Sequence, residues 1–269
     1  MVGTPFYALL GIGGLFLPNT LAFFGSIESS RPDVRYKVGV RNSAEDGTDG
    51  AVRVPTRTIV HGEALTWMAE NAADPSAGVI TSLPDVSERP DLDFDGWRSW
   101  FILAARRVIA WTPSRGAAIF FQSDVRHDGT IVDKSYLVMR AAEEEGASLL
   151  WHKIVCRRPP GTISFGRPSW SHMLCIGHEP RPPARRPGPD VLPDAGFMPW
   201  SRAMGVFACR VACTYLQEEI AARIIVDPFC GRGTVLAVAN EMGLDAIGVE
   251  LSAKRCKAAR ALVVAAGSA

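Results

Sequence analysis

Short apolar runs alternate along the chain with longer stretches in which apolar residues recur every three or four positions. The runs predict β-strands at 58–60, 78–80, 117–121, 149–155, 173–176, 224–226 and 246–249. The periodic stretches predict helices at 63–70, 97–111, 135–145, 204–216 and 234–242, with a last helix after Ser252. Because strands and helices alternate, the pattern predicts an α/β fold with a mainly parallel sheet.

The longest predicted helix has one broad apolar face. At helical spacing it carries Trp97, Trp100, Phe101, Ala104, Val108 and Trp111. We therefore expect its three tryptophans to pack in the core. For the helix at 135–145, Ser135 is the expected N-terminal cap and Gly146 the expected stop.

Residues 1–50 do not follow this pattern. From Phe6 to Gly25 no residue is charged, and the run is long enough to cross a bilayer. Glycines and a proline interrupt it, however. A secretory or mitochondrial signal requires basic side chains, and none precedes Arg31. We interpret 1–50 as an atypical N-terminal extension and 51–269 as the folded domain. A membrane or organelle-targeting role for the extension stays open.

Composition excludes several classes of protein. Lys and Arg number 29 against 28 Asp and Glu, so a strongly basic nucleic-acid coat is excluded. The six cysteines include no C-x-x-C pair, which indicates neither a disulfide scaffold nor a zinc site. We predict no metal and a reducing, cytoplasmic location. Cys209 and Cys213 lie four residues apart on a helix and are expected to be buried thiols.

One segment is nevertheless basic. Residues 151–190 contain seven Lys or Arg against two acidic residues. A surface that contacts nucleic-acid phosphates is one interpretation, and a solvated loop is the other. The candidate substrate-binding residues are Lys153, Arg157, Arg158, Arg167, Trp170 and His172.

The clearest motif follows the strand at 224–226. There the chain reads Asp227-Pro228-Phe229-Cys230-Gly231-Arg232-Gly233-Thr234, a glycine-rich turn before a helix. Such a turn lets backbone N–H groups approach a ligand at the carboxyl edge of the sheet. The next strand ends at Glu250, where a carboxylate can accept hydrogen bonds from ribose hydroxyls. These features describe adenosine with a short polar tail; a tight turn without a ligand is the alternative.

The three segments DPFCGRGT, AIGVELS and KRCKAAR resemble the cofactor half of the S-adenosylmethionine-dependent amino-methyltransferases that act on nucleic-acid bases, the DNA methylase N4/N6-like family. The resemblance implies a Rossmann-like methyltransferase fold and S-adenosyl-L-methionine as cofactor. It also implies that Glu250 binds the ribose and that the motif lines the donor pocket through Asp227, Pro228, Phe229, Cys230, Gly231, Gly233 and Thr234. Because the motif comes late, the chain resembles the circularly permuted members, with a catalytic half at 51–200 before a cofactor half at 201–269.

Permutation requires a catalytic motif upstream, after a strand. At that place Ser82-Leu83-Pro84-Asp85 aligns with the family's (Asp/Asn/Ser)-Pro-Pro-(Tyr/Phe/Trp) signature. The resemblance implies that Ser82 and the Leu83 carbonyl accept the hydrogens of the acceptor amine, and that Glu63 lies in the turn that contacts adenine. Asp85 departs from the pattern because a carboxylate cannot stack on a base. We predict that it accepts a hydrogen bond or a proton from the acceptor; an exposed turn aspartate is the alternative.

These observations predict an S-adenosylmethionine-dependent methyltransferase that acts on a base nitrogen of nucleic acid. The interval 122–200 leaves little length for a separate target-recognition domain. A compact enzyme suits a folded RNA whose shape provides recognition, so we favour RNA, with transfer RNA the first candidate, over DNA. The alternatives are a DNA N4/N6 amino-methyltransferase, a non-catalytic module that binds the cofactor or RNA, and a small-molecule or protein methyltransferase.

Overall fold

The computed structural model describes residues 53–181, 184 and 187–265. The predicted extension 1–50 therefore lies outside the described residues, as do Arg185 and Arg186 of the basic segment. In the part of the chain that the structure describes, no helix combines the length and the apolar character that a bilayer crossing requires.

The regular elements agree closely with the predicted alternation. The strands are β1 (Arg57–His61), β2 (Ala77–Thr81), β3 (Ala118–Gln122), β4 (Val125–His127), β5 (Thr130–Val132), β6 (Ser148–Cys156), β7 (Trp170–Gly177), β8 (Val191–Leu192), β9 (Ile224–Asp227) and β10 (Asp245–Glu250). The helices are α1 (Ala64–Glu70), α2 (Phe94–Trp111), α3 (Lys134–Glu144), α4 (Val206–Glu218), α5 (Thr234–Glu241) and α6 (Ala253–Ala261). A short 3₁₀ helix covers Val86–Glu88.

Eight of these strands form one sheet in the order β1-β10-β9-β2-β3-β7-β6-β8. The first five are parallel, and β7 runs antiparallel to both its neighbours. Although β9 and β10 come last in the chain, they lie between β1 and β2. The predicted α/β fold with a mainly parallel sheet and permuted motif order is confirmed.

Helices cover both faces of this sheet and produce two cores. Leu216 of α4 and Leu236 of α5 belong to one core, whereas Phe101 of α2 and Leu137 of α3 belong to the other. Each face of the sheet is therefore apolar, as a parallel sheet covered on both sides requires.

The predicted core tryptophans are not equivalent. Trp97 is fully buried in the α2 core, as expected. Trp100 and Trp111 are half-buried, so the prediction of core positions is too strong for these two. Cys209 and Cys213 are buried free thiols, and their prediction is confirmed.

Two local predictions need correction. Helix α3 is capped by Asp133, whose carboxylate accepts a hydrogen bond from the Tyr136 backbone N–H at 3.0 Å, and not by Ser135. The hairpin β4–β5 was not predicted. Its turn is Asp128-Gly129, with φ of 45° and 78°, which is the left-handed geometry that two-residue hairpin turns require.

Candidate functional site

The two motifs meet at the carboxyl edge of the sheet. Strands β2 and β9 are parallel neighbours, with Val79 opposite Val226. The last residue of β2, Thr81, donates a hydrogen bond from its hydroxyl to Asp227 Oδ1 at 2.8 Å. The chain leaves β9 toward β10 on one side and leaves β2 toward β3 on the other, so this is the switch point where open α/β sheets bind ligands.

Left-handed backbone shapes the glycine turn. Gly231 and Gly233 have φ of 53° and 80°, which L side chains rarely adopt. A Cβ at Gly233 would lie 2.9 Å from the Ala259 Cβ in α6, whereas a Cβ at Gly231 would meet no atom within 4 Å. The turn thus packs closely against α6 on one side and leaves open space on the other, in front of the N-terminus of α5.

Two buried polar groups in this turn, Asp227 and Thr234, are incompletely paired in the described part of the chain. Asp227 is buried, and no Lys, Arg or His of the described residues forms an ion pair with it. Burial raises the pKa of Asp227 to about 7, against the hydrogen bonds from Thr81 and from the Phe229 N–H. The Thr234 hydroxyl is also buried, with no hydrogen-bond partner in the described part of the chain. A ligand that carries a cation and a hydrogen-bonding group can satisfy both.

The other predicted cofactor residues lie along the same edge. Glu250 ends β10 and is nearly buried; its carboxylate accepts a hydrogen bond from the Ser252 N–H at 2.7 Å. Its carbonyl accepts one from the Gly62 N–H at 3.1 Å, which brings the turn after β1 beside it. Glu63 in that turn is exposed and caps α1 by accepting a hydrogen bond from the Thr66 N–H at 2.7 Å.

The remaining motif residues complete the turn. Pro228 and Cys230 are buried, and burial raises the pKa of the Cys230 thiol, which favours its protonated form. Phe229 is half-buried and packs edge-on against Trp100 of α2, with ring centroids 6.0 Å apart. Trp100 is therefore half-buried because its ring packs against Phe229 of the glycine turn.

The predicted catalytic loop is held from three sides. Ser82 is exposed, whereas Leu83 is buried in the α2 core. The Pro84 carbonyl accepts a hydrogen bond from Trp97 Nε1 at 3.1 Å. Asp85 forms an ion pair with Lys134 at the start of α3. Packing, a hydrogen bond and an ion pair thus hold the loop in place, and Ser82 is the most exposed of its four residues.

Asp85 is neither an exposed turn residue nor a free carboxylate. Its side chain is 17% exposed, and that of Lys134 is 3% exposed. The alternative of an exposed turn aspartate is therefore wrong. The pairing was not predicted, since Lys134 lies 49 residues further along the chain and no local pattern connects the two.

A further polar cluster adjoins this ion pair. The Lys134 backbone N–H donates to Asp124 Oδ1 at 3.0 Å, and the other carboxylate oxygen of Asp124 lies 3.2 Å from His172 Nε2. His172 Nδ1 lies 2.9 Å from His152 Nε2. Burial, followed by the charge of His172, lowers the pKa of His152. A continuous polar chain thus extends from the loop after β2 to β6.

The same cluster contains the one group with metal-ligand geometry that the described residues form. Ligand atoms of Asp124, Asp133 and His172 lie within 4.8 Å of one another. The two carboxylates already accept hydrogen bonds from the N-terminus of α3. On the same rung of the sheet as His172, the buried Gln122 amide has no hydrogen-bond partner in the described part of the chain.

The predicted substrate residues fall into two groups. Lys153 donates hydrogen bonds to the carbonyls of Gly188 and Pro189 at 3.1 and 2.9 Å, so its ammonium serves the adjacent loop. Arg157 reaches the carboxyl edge of the sheet, where it donates to Ser123 Oγ, directly after β3, at 3.3 Å. Burial is the main cause that lowers the pKa of Arg157, and the charge of Asp85 partly opposes it.

The others lie around the segment that precedes β7. Arg158 is exposed, and its N–H donates to the Ser169 carbonyl at 3.2 Å. Arg167 and Trp170 line a cavity of about 330 Å³ together with Asp124. The Trp170 and His172 rings pack edge to face, with centroids 4.5 Å apart.

Comparison with known proteins finds one family and several solved structures that this chain resembles. Residues 219–261 match the model of a family described as DNA methylase, of N6/N4 type. This match confirms the predicted family resemblance and methyltransferase class over that segment. No curated protein was found to match the chain.

Solved structures confirm the fold. A putative DNA modification methylase from Thermus thermophilus has a TM-score of 0.58 and 17% identity, covering 76% of this chain and 92% of that one. The same protein complexed with S-adenosyl-L-methionine gives 0.57 and 20%, covering 76% and 91%. The PvuII cytosine-N4-specific DNA methyltransferase gives 0.58 and 15%, covering 77% and 86%.

Proposed function

We propose that this chain is an S-adenosylmethionine-dependent methyltransferase that modifies an amino group of a nucleic-acid base. One observation carries the proposal. The open glycine turn after β9 and the Ser82–Asp85 loop after β2 are joined by the Thr81–Asp227 hydrogen bond at the switch point of the sheet. A donor and an acceptor bound at these two loops would be neighbours.

The residues of the glycine turn fit S-adenosylmethionine. Asp227 is a buried carboxylate without a cationic partner among the described residues, and it suits the ammonium of the methionine moiety. The N-terminus of α5 and the unpartnered Thr234 hydroxyl suit its carboxylate. Glu250 is placed for the ribose hydroxyls. When bound, the cofactor supplies a methyl group on a sulfonium, which a nitrogen lone pair can attack.

The Ser82–Asp85 loop supplies the acceptor side. The exposed Ser82 hydroxyl and the Leu83 carbonyl accept hydrogen bonds from an amino group and so orient its lone pair. Asp85 cannot stack on the base, and its charge is compensated by Lys134. We assign the pair a polar role at the acceptor site, where the Asp85 carboxylate accepts a hydrogen bond from an N–H of the base.

Within the proposed class of nucleic-acid substrates, different observations favour RNA and DNA. The interval 122–200 is occupied by the hairpin β4–β5, by α3 and by β6–β8, which leaves no separate recognition domain in its described part. This favours a substrate recognised by shape, and hence a folded RNA. The matched family is described as DNA methylase and the solved relatives as DNA methylases, which favours DNA, so an amino group of DNA is the second candidate.

Methyl incorporation tests the proposal directly. Purified protein is incubated with S-adenosylmethionine labelled in the methyl group and, separately, with transfer RNA, ribosomal RNA and genomic DNA from cells that lack the gene. Digestion to nucleosides and mass spectrometry then identify the modified base. We expect incorporation that Ser82→Ala lowers by about tenfold or more, with cofactor affinity unchanged by calorimetry. Cofactor binding without incorporation into any nucleic acid would instead identify a non-catalytic module.

A further inference from the structure

A second concave site lies beside the polar cluster, between the hairpin β4–β5 and the segment before β7. Its volume of about 330 Å³ is at the lower end of the range for small-molecule pockets. Strand β7 begins at the edge where β3 ends, since His172 pairs with Gln122. The cavity therefore opens at the same edge of the sheet as the Ser82–Asp85 loop, two strands away.

The lining combines charge with an aromatic ring. Arg126 comes from the hairpin and Arg167 from the facing segment, and both side chains are exposed. Burial, followed by the charge of Arg167, lowers the pKa of the neighbouring Arg157. The lining thus holds two cationic side chains, Arg126 and Arg167, against one acidic side chain, Asp124, which is 6% exposed. Two guanidinium groups, an indole ring and a buried carboxylate can recognise a phosphate, a base face and a base N–H respectively.

Apolar side chains stand out of the surface around this cavity. Ile131 is 57% exposed, Ile163 is 79% exposed and Phe165 is 94% exposed. Ile131 lines the cavity, and Phe165 lies between two residues that do, Ser164 and Gly166. Proteins that unstack a base insert apolar side chains of this kind into the gap. An exposed aromatic beside arginines therefore favours a nucleic-acid strand as the occupant.

We infer that this cavity binds one unstacked nucleotide of the substrate, whose base stacks on Trp170. The inference rests on the proposed nucleic-acid substrate. It also accounts for the main departure of the Ser82–Asp85 loop from the family signature, which is the lack of an aromatic residue at its last position. Asp85 provides no aromatic surface at the end of that loop, whereas Trp170 provides one at the same edge of the sheet. Arg126 and Arg167 contact the phosphate of the bound nucleotide, and Asp124 accepts a hydrogen bond from its base.

Binding of single strands tests the inference without the cofactor. The probes are 12-nucleotide oligoadenylate and oligocytidylate, as RNA and as DNA, labelled with fluorescein and followed by anisotropy. We expect Trp170→Ala to weaken binding of the best probe about tenfold and Trp170→Phe to keep it within about threefold, since phenylalanine still stacks. Arg126→Ala and Arg167→Ala should each lower the slope of log affinity against log salt by about 0.7. Unchanged affinity in Trp170→Ala would overturn the inference.

The control is Arg107→Ala, an exposed position near the far end of α2, which should leave affinity and salt slope unchanged. Thermal melting of each variant separates loss of binding from loss of fold, and the arginine variants keep the test decisive if Trp170→Ala unfolds. Methyl transfer by the same proteins separates the two proposals. If methyl transfer occurs but oligonucleotide binding does not depend on Trp170, the proposed methyltransferase activity stands and the nucleotide-binding role of the cavity is refuted. If binding depends on Trp170 but no methyl transfer occurs, the nucleotide-binding role of the cavity stands and the proposed methyltransferase activity is refuted.

Discussion

The Thr81 hydroxyl donates a hydrogen bond to Asp227 Oδ1 at 2.8 Å, across 146 positions of the chain. Thr81 ends the strand before the Ser82–Asp85 loop, and Asp227 begins the glycine turn. This buried contact, together with the pairing of β2 with β9, therefore holds the two loops side by side. In a permuted chain this contact joins the two halves, because each half alone contains only one of the loops.

Removing this hydrogen bond should destabilise the protein. Thr81→Val keeps the shape of the side chain but leaves the buried Asp227 carboxylate with one donor fewer. We expect the free energy of unfolding to fall by about 1–3 kcal/mol in urea titrations. Thr81→Ser, which retains the hydroxyl, is the matched control and should cost less. If both variants unfold at the wild-type urea concentration, the contact contributes nothing to the join between the loops.

Affinity for S-adenosylmethionine should depend on pH through Asp227. Its pKa is raised to about 7 by burial, so below that pH the carboxyl must lose a proton before it can pair with an ammonium. Binding should therefore tighten as pH rises from 6 to 8, with a limiting slope of about tenfold per pH unit on the acid side. Calorimetry at a series of pH values measures this. Asp227→Asn should bind more weakly and lose the dependence.

The same pKa predicts a stability effect of opposite sign. The folded Asp227 carboxyl holds its proton more tightly than the unfolded one, whose ordinary pKa is 3.8. Stability is therefore lost progressively as pH rises from about 4 to about 7, by about 1.4 kcal/mol for each pH unit in that range. Without ligand, Asp227→Asn should be more stable than wild type at pH 8, and the difference in the free energy of unfolding between the two proteins should be smaller at pH 5. A wild-type stability that rises through this range faster than that of the variant would contradict the assignment.

Removing one partner of the Asp85–Lys134 ion pair should lower the free energy of unfolding more than removing both charges. Lys134→Met leaves the half-buried Asp85 uncompensated and is expected to cost about 2–4 kcal/mol. Asp85→Asn/Lys134→Met should recover part of that loss. Turnover separates structure from chemistry: Asp85→Asn should lower it sharply with cofactor affinity within a few fold, and the double variant should not restore it. Recovery of turnover in the double variant would make Asp85 a structural residue only.

Local signals explain what the sequence reveals. The glycine turn, the strands beside it and the cap of the last helix depend on neighbouring residues, so they could be predicted. The hairpin at Asp128-Gly129 had such a signal too, since this dipeptide favours a two-residue turn. The pairing of Asp85 with Lys134 and the contact of Asp124 with His172 had none. They arise only when the sheet order places β2, β3 and β7 side by side.

Thr234 offers a test in which stability and ligand binding should diverge. Its hydroxyl is buried without a hydrogen-bond partner in the described residues, so it contributes no bond to the ligand-free fold. Thr234→Val replaces it with a methyl group of the same shape, and the free energy of unfolding should stay level or rise by up to about 1 kcal/mol. Affinity for S-adenosylmethionine should nevertheless fall about five- to tenfold, because the hydroxyl can then no longer bond the methionine carboxylate. Thr234→Ser keeps the hydroxyl and should bind nearly as wild type. If Thr234→Val binds the cofactor as tightly as wild type, the unpartnered hydroxyl does not face the ligand, and the glycine turn must hold it by backbone groups alone.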